Sequence, residues 1–465
     1  MRRAVAVALA GALAGCSLAP KYVREAPPVP DSWPVGDAYL RQSEAALPLV
    51  SYRSVFTDPR LQTLVGEALA NNRDLRVAAA NLAAARARVQ VQRAQQFPEV
   101  GVGAGVTRRS ADSGGVSTSW SATAGVSAFE LDLFGRLANA TRSQQETALA
   151  TEAAARTVRL GLVADLADAW AQHAADAELL KIADQTAKAS RRSAELQRAL
   201  LRGGVAARSD FDQAEQVLAT AEADLAAQTT AVAQDRNLIE LLVGAPVDPA
   251  LLPGDLAQAS AGVVAVPAGT STEVLLRRPD VVAAEYRLRA ANADLGVARA
   301  ELFPRLTLTA LLGLAATSFE GLFQGGALTS TLGANGSYAL FSGGGARANV
   351  KVSEAQREAA LATWEKTVQT AFREVADALA RQGTMAAELA AVERRTADAA
   401  DAARLVGAQY RGGIASSLEN LDAQRTLYTA QRSQVATRLE AMRSRITLYR
   451  VLGGDQVAAT GPAAR

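Results

Sequence analysis

One cysteine, one histidine and three methionines in 465 residues leave the chain little chemistry of its own. A lone Cys16 permits no intramolecular disulfide. A single histidine, His173, with so few sulfur ligands supplies no metal cluster, so neither a metal nor any other cofactor is expected. His173 falls within a helical pattern and reads as a packing or lumen residue. Aromatics make up 5% of the chain while hydrophobic residues, many of them alanine, make up 49%. That balance suits long helices packed at close range rather than a core of large side chains. Charge of one sign is also missing: the net charge is +2, and Arg2 and Arg3, in a leading segment without acids, account for all of it. No electrostatic case for nucleic acid remains. Gly343-Gly344-Gly345 lacks the following Lys-Ser/Thr of a phosphate loop. No catalytic constellation stands out, and the chain is not read as an enzyme.

What is present begins at the N-terminus. Arg2-Arg3 and an apolar run from Ala4 to Ala14 form a charged segment and a hydrophobic segment too short to span a bilayer. They predict a secretory signal over residues 1–15. Its ending, Leu13-Ala14-Gly15-Cys16, resembles the bacterial lipobox, which implies cleavage before Cys16 and lipidation of that residue. A plain signal peptide with an incidental cysteine is the alternative. Ser17, rather than Asp, follows; by resemblance to lipoproteins of Gram-negative bacteria this implies the outer membrane. Residues 16–60 carry Pro20, Pro27, Pro28, Pro30, Pro34 and Pro48 and read as an extended tether.

The rest is written twice. Leu61 to Gln96 reads as a helix that stops at Phe97-Pro98, after which Val100, Val102, Ala104 and Val106 alternate. A helix entered at Pro279-Asp280 stops likewise at Phe303-Pro304, followed by Leu306, Leu308, Ala310 and Leu312. Phe303 follows Phe97 by 206 residues, as Asp280 follows Asp74. This is an internal duplication, with repeats at 61–246 and 269–454, a linker at 247–268 and a tail at 455–465. In each copy a second alternating segment completes a hairpin: Trp120, Ala122, Ala124, Val126 and Ala128 in the first, Leu328 to Leu340 in the second. Leu133-Phe134-Gly135-Arg136 answers Leu340-Phe341-Ser342-Gly343. A long helical tract follows each, to Arg202 and to Arg411, with apolar residues three and four apart. Leu160, Val163, Ala167 and Trp170 mark that stripe in the first, and Trp364, Val368, Ala371 and Val375 in the second. The tracts end at matching turns, Arg202-Gly203-Gly204-Val205-Ala206 and Arg411-Gly412-Gly413-Ile414-Ala415. A shorter helix returns from each, with Ser209-Asp210-Phe211-Asp212 and Ser416 with Glu419 as N-terminal caps.

Each strand is about ten residues, the length a tilted strand needs to cross a hydrocarbon layer. Four such strands cannot close a barrel, and open edges are not tolerated in lipid. The expected fold class is an α + β membrane protein in which several chains share one barrel. The helical hairpins, whose stripes have no partner of sufficient size in the chain, continue it as a tube. Two repeats, each helix–strand–strand–long helix–helix, build that protomer.

The stretch LLRRPDVVAAEYRLRAANADLGVARAELFPRLTL, the LAGC ending and YRGGIASSLENLDAQRTLYTAQ resemble the outer membrane factor (TolC-like) family, in particular its NodT/OprM-like lipoproteins of tripartite efflux pumps. The likeness covers essentially the whole mature chain. It departs at Pro267-Ala268-Gly269-Thr270-Ser271-Thr272, where the family often has Pro-Ala-Gly-Leu-Pro-Ser. The resemblance implies a homotrimer with a trimeric 12-stranded β-barrel in the outer membrane and a long periplasmic α-helical barrel. It implies a passive exit duct served by a periplasmic adaptor (membrane fusion protein) and an inner-membrane RND transporter. It also implies a periplasmic gate at Leu418, Asp422 and Arg425, and adaptor docking at the two tip turns, residues 202–206 and 411–415. A duct for type I protein secretion and a pore-free periplasmic coiled-coil lipoprotein are the alternatives.

Overall fold

The computed structural model describes residues 17–36, 38–39, 51–110, 115–266 and 272–454. Residues 1–15, Cys16, Pro48, the hairpin turn at 111–114, Pro267 to Ser271 and the tail 455–465 lie outside the described residues. Two compact units are present. One gathers the chain up to Pro27 with Ala79–Ala154 and Val282–Thr367; the other gathers Pro28–Ala78, Ala155–Val281 and the chain from Val368 onward.

The first unit holds the sheet. β1 (Val100–Ser110), β2 (Val116–Leu131), β3 (Arg305–Ala316) and β4 (Leu328–Ser337) pair antiparallel in chain order. Directly paired residues share a face, so the register sorts the side chains. Val100, Val126, Ala310 and Leu332 form one row, and Ala104, Ala122, Leu314 and Leu328 another. The opposite face carries Gly103, Thr123, Gly313 and Thr329 in one row and Gly105, Ser121 and Ala315 in the next. One face is therefore largely apolar, with Ser330 in the row of Val102, Ala124 and Leu312, and the other mostly small or hydroxyl-bearing, with Leu311 in the row of Gly101, Gly125 and Thr331. β1 and β4 are the edges, each with one side unpaired within the sheet.

The alternation expected through Ala128 stops at Val126. A bulge separates Val126 from Phe129, and beyond it Phe129 faces Leu308 and Leu131 faces Leu306. Unbroken alternation would have set Ala128 and Glu130 on the apolar face. Glu130 instead shares a face with Thr307 and Asn335, and both its oxygens accept from Arg136, at 2.8 and 2.7 Å. β4 is shorter than expected, ending at Ser337 rather than Leu340.

The single helix expected over 61–96 is two: α1 (Pro59–Asn71) and α2 (Arg73–Ala94). Asn72 leaves helical geometry at φ −58°, ψ 136°. Its Oδ1 accepts from the backbone of Asp74 and Leu75 at 2.9 and 3.1 Å, and its Nδ2 donates to the Leu242 carbonyl at 2.9 Å. Asparagine is a preferred N-cap because it satisfies such orphan donors. α3 (Arg136–Arg202) and α6 (Gly345–Arg411) each run 67 residues, a contour of about 100 Å at 1.5 Å per residue. α4 (Arg208–Val243) stops at Gly244, in the left-handed region at φ 77°. α5 (Pro279–Ala300) precedes β3, and α7 (Ser417–Val451) follows α6. The order helix, strand, strand, long helix, shorter helix thus occurs twice.

The two returning helices start differently. Ser416 and Glu419 form the expected reciprocal capping box. Ser209 does not cap: α4 begins earlier, at Arg208, with Ala207 as an N-cap that makes no side-chain bond, while Arg208 pairs with Asp212 at 3.1 Å. Nor are the long stripes bare along their length. Val163, Ala167, Trp170, Val368, Ala371 and Val375 are fully buried, and the linker and α1 cover the middle of α3. Trp170 donates to the Leu251 carbonyl at 3.1 Å, Lys181 to that of Gly254 at 2.8 Å, and Arg60 lies over the Trp170 ring. The linker is not featureless, since it carries the short helix Leu256–Ala261.

The described parts of the proline-rich N-terminal stretch are tied to the rest of the chain. In the first unit Arg24 forks Glu285 at 3.0 and 2.6 Å, Tyr22 donates to the same carboxylate, and Asn292 donates to the Pro20 carbonyl at 2.7 Å. Burial raises the Glu285 pKa, but Arg24 and Arg289 outweigh it and hold the carboxyl below its usual range. In the second unit Trp33 stacks on Phe372 at 5.4 Å, and Tyr52–Val55 is a helical turn rather than extended chain.

Candidate functional site

The two tip turns are built alike. At the first, Gly204 donates to Leu201 at 3.0 Å and Val205 to Leu200 at 2.9 Å; at the second, Gly413 donates to Tyr410 at 3.0 Å and Ile414 to Gln409 at 2.9 Å. This is the Schellman pattern, which needs a left-handed residue after the helix. Gly204 and Gly413 supply it at φ 70° and 74°. Gly203 and Gly412 keep ordinary geometry. The turns leave Val205 78% and Ile414 81% exposed, so each tip presents one branched apolar side chain between Arg202 and Ala206 or Arg411 and Ala415. Gln197 brings the tips together by donating to Tyr410 at 2.7 Å and Ser417 at 2.9 Å. Arg198 to Glu215 and Arg438 to Glu393 brace each hairpin across its two helices.

The residues expected to form a gate lie near the start of α7. Arg425 donates to Asp422 at 2.6 Å, and Leu418 is exposed on the same end of the helix. Their neighbours Asn420 and Leu421 are buried. The packed face of α7 therefore turns Leu418, Asp422 and Arg425 outward.

At the helix-to-strand junctions the backbone repeats bond for bond. Phe97 donates to Ala94 at 3.0 Å and Phe303 to Ala300 at 3.1 Å, and Pro98 or Pro304 then admits the strand. The rings differ: Phe303 stacks on Phe134, centroids 4.5 Å apart, whereas Phe97 is 60% exposed.

Sequence reasoning missed a part-buried acidic pair. Asp176 on α3 meets Asp235 on α4; Gln172 donates to Asp176 at 2.7 Å, and Arg443 of α7 is held by Asp168 at 2.7 Å. His173, buried beside them, is a packing residue whose pKa burial pushes down. Burial first, then the hydrogen bond and charge of Asp176, push the Asp235 pKa up to about 7, against a smaller pull from Arg443. Residues fifty-nine positions apart on opposite arms of a hairpin give no local sequence signal. A folded-state pKa raised above the unfolded 3.8 gives stability that is complete below pH ~4 and lost as pH rises to about 7. Asp235→Asn is accordingly expected to stabilise the protein at pH 8 by about 1–2 kcal/mol, discounted for partial exposure. The gain should vanish near pH 4; thermal unfolding followed by circular dichroism across that range checks it.

Comparison with known proteins gives one consistent picture. The family model described as outer membrane efflux protein matches residues 64–245 and 270–454. A probable efflux pump outer membrane protein of Pseudomonas putida, TtgC, is 39% identical over 460 residues, spanning 97% of this chain and 95% of the relative. Outer membrane protein OprJ of Pseudomonas aeruginosa is 36% identical over 425 residues, 90% of this chain and 88% of OprJ. Among solved structures, the open-state MtrE outer membrane channel of Neisseria gonorrhoeae matches with a TM-score of 0.83 at 30% identity, covering 94% of this chain and 98% of that one. CusC matches with a TM-score of 0.83 at 31% identity, covering 94% and 100%. With the family model on both halves and these relatives along nearly its whole length, the chain belongs to the outer membrane efflux protein family.

Proposed function

We propose that the chain is the outer-membrane exit duct of a tripartite RND-type efflux system in a Gram-negative bacterium. Three copies pool their four strands into a twelve-stranded barrel, and their helical hairpins continue it through the periplasm. Two duplicated repeats build each protomer, and lipidation at Cys16 anchors it. The observation that carries this reading is the sheet, with one largely apolar face, one face mostly of glycine, serine and threonine, and two unpaired edges. Lipid demands the first, a water-filled lumen accepts the second, and the edges require neighbours. The duct is passive and performs no catalysis; a transporter supplies the energy, and a periplasmic adaptor meets the tips through Val205 and Ile414.

Leu418, Asp422 and Arg425 form the constriction. Around a three-fold axis the exposed Asp422 and Arg425 can exchange their intrachain partner for one on the next copy, and Leu418 adds an apolar plug. In planar lipid bilayers the purified protein is expected to give discrete channels of low resting conductance. Replacing Asp422 and Arg425 with alanine should raise the resting conductance severalfold. Unchanged conductance would remove these residues from the gate, and no channels at all would remove the duct.

A further inference from the structure

The duplication offers two equivalent aromatic contacts between a helix-to-strand junction and a segment leaving the sheet, and one of them is made within the chain. The segment leaving β2 lays Phe134 on Phe303, the junction ring that leads into β3, with centroids 4.5 Å apart and planes 19° from parallel. Each ring has a counterpart. Phe97 occupies the place of Phe303, 206 residues earlier, in a turn bonded the same way. Phe341 occupies the place of Phe134, 207 residues later, in the segment leaving β4.

Among the described residues the counterparts stack on no ring, and they are more exposed than Phe303, which is 40% exposed. Phe341 is 91% exposed with Leu340 at 92%, and Phe97 is 60% exposed. Phe97 leads into β1 and Phe341 follows β4, the two opposite edges of the sheet. Sheet order keeps them apart within one chain. An aromatic pair filled at the internal seam and vacant at both outer edges has the form of a contact completed by another copy.

We propose that Phe341 of one copy stacks on Phe97 of the next, repeating between chains the contact that Phe134 makes with Phe303 within one. This rests on the shared-barrel reading above and identifies the surface that joins the copies. β4 then pairs with the neighbour's β1 as β2 pairs with β3. Leu131 faces Leu306 at the internal seam, so the same offsets set Tyr338 opposite Val100 of the next copy. The occupant is a second copy of this chain because only a strand can satisfy the free backbone groups of an edge in lipid, and β1 is the strand that takes the place of β3 in the other repeat.

The seam is tested with the full chain carrying Val100→Cys and Tyr338→Cys, against each single variant. Paired antiparallel residues sit about 4.5–5.5 Å apart at Cα, within the span a disulfide bridges. Oxidised outer-membrane fractions of the double variant should show a ladder of covalent oligomers on non-reducing gels, absent from the single variants. No ladder in a protein that still forms heat-modifiable oligomers and conducts would overturn the seam and leave the duct standing. Loss of oligomers and conductance in the parent protein would overturn the duct and the seam together. Phe97→Ala and Phe341→Ala supply the second readout. Each should speed thermal dissociation of the oligomer about five- to tenfold, and the double variant should do little more than either alone. Strictly multiplicative effects would mean the rings do not touch.

Discussion

Replacing Arg278 with alanine is expected to lower the unfolding free energy of the helical unit by about 2–3 kcal/mol, the cost of removing the buried member of an ion network whose two carboxylates are each 35% exposed. Arg278 is 7% exposed. It forks Asp280 at 3.1 and 2.7 Å, reaches Glu374 at 2.8 Å and donates to the Val451 carbonyl at 2.9 Å. Burial alone would lower its pKa, but the two carboxylates more than compensate and raise it. One side chain thus joins the entry of α5, the middle of α6 and the end of α7. Alanine strands two carboxylates and a carbonyl, whereas Arg278→Lys retains a charge without the fork and should lose roughly half as much. Denaturant unfolding of the detergent-solubilised protein, followed by circular dichroism, measures both.

The second large effect is expected in the sheet. Gly125 sits at φ 142°, just before the β2 bulge, and a Cβ there would press into the carbonyl oxygen of Ala310 across the strand pair. Gly125→Val therefore meets two obstacles: backbone strain of about 1–3 kcal/mol, and a forced separation of β2 from β3 costing about 1–3 kcal/mol more. Because β2 and β3 form the central pair, the expected result is loss of assembled protein from the outer membrane. Gly101→Val, on β1 at a site with open space around it, should be well tolerated. The yield of heat-modifiable oligomer in membrane fractions separates the two.

Much of this fold was legible because it is written in local signals that recur. Phe97-Pro98 and Phe303-Pro304 stop helices by the chemistry of proline, and Gly204 and Gly413 end the long helices by supplying a left-handed residue. Ser416 and Glu419 cap through bonds three residues apart. What escaped notice depends on partners distant in sequence. Asn72 breaks a helix-compatible pattern because it can bond to Leu242, 170 positions away. Ser209 loses its capping role to a chain that turns helical two residues sooner. Asp176 and Asp235 become a pair only when two arms of a hairpin close. The apolar stripe on α3 was visible, but its cover by Leu251, Gly254 and Arg60 was not, since a linker carries no periodicity to announce where it packs.

The bulge in β2 has a further consequence in the proposed barrel: it sets a reading frame. Deleting one residue between Val126 and Phe129 would close the bulge and leave Phe129, Glu130 and Leu131 on their present faces, whereas deleting one from the regular pairing between Trp120 and Val126 would turn every side chain on one side of the gap to the other face. Outside the bulge the strand therefore tolerates exchanges of side chain far better than a change of length. Insertions and deletions belong instead in the connection between β1 and β2, where no downstream pairing depends on the count.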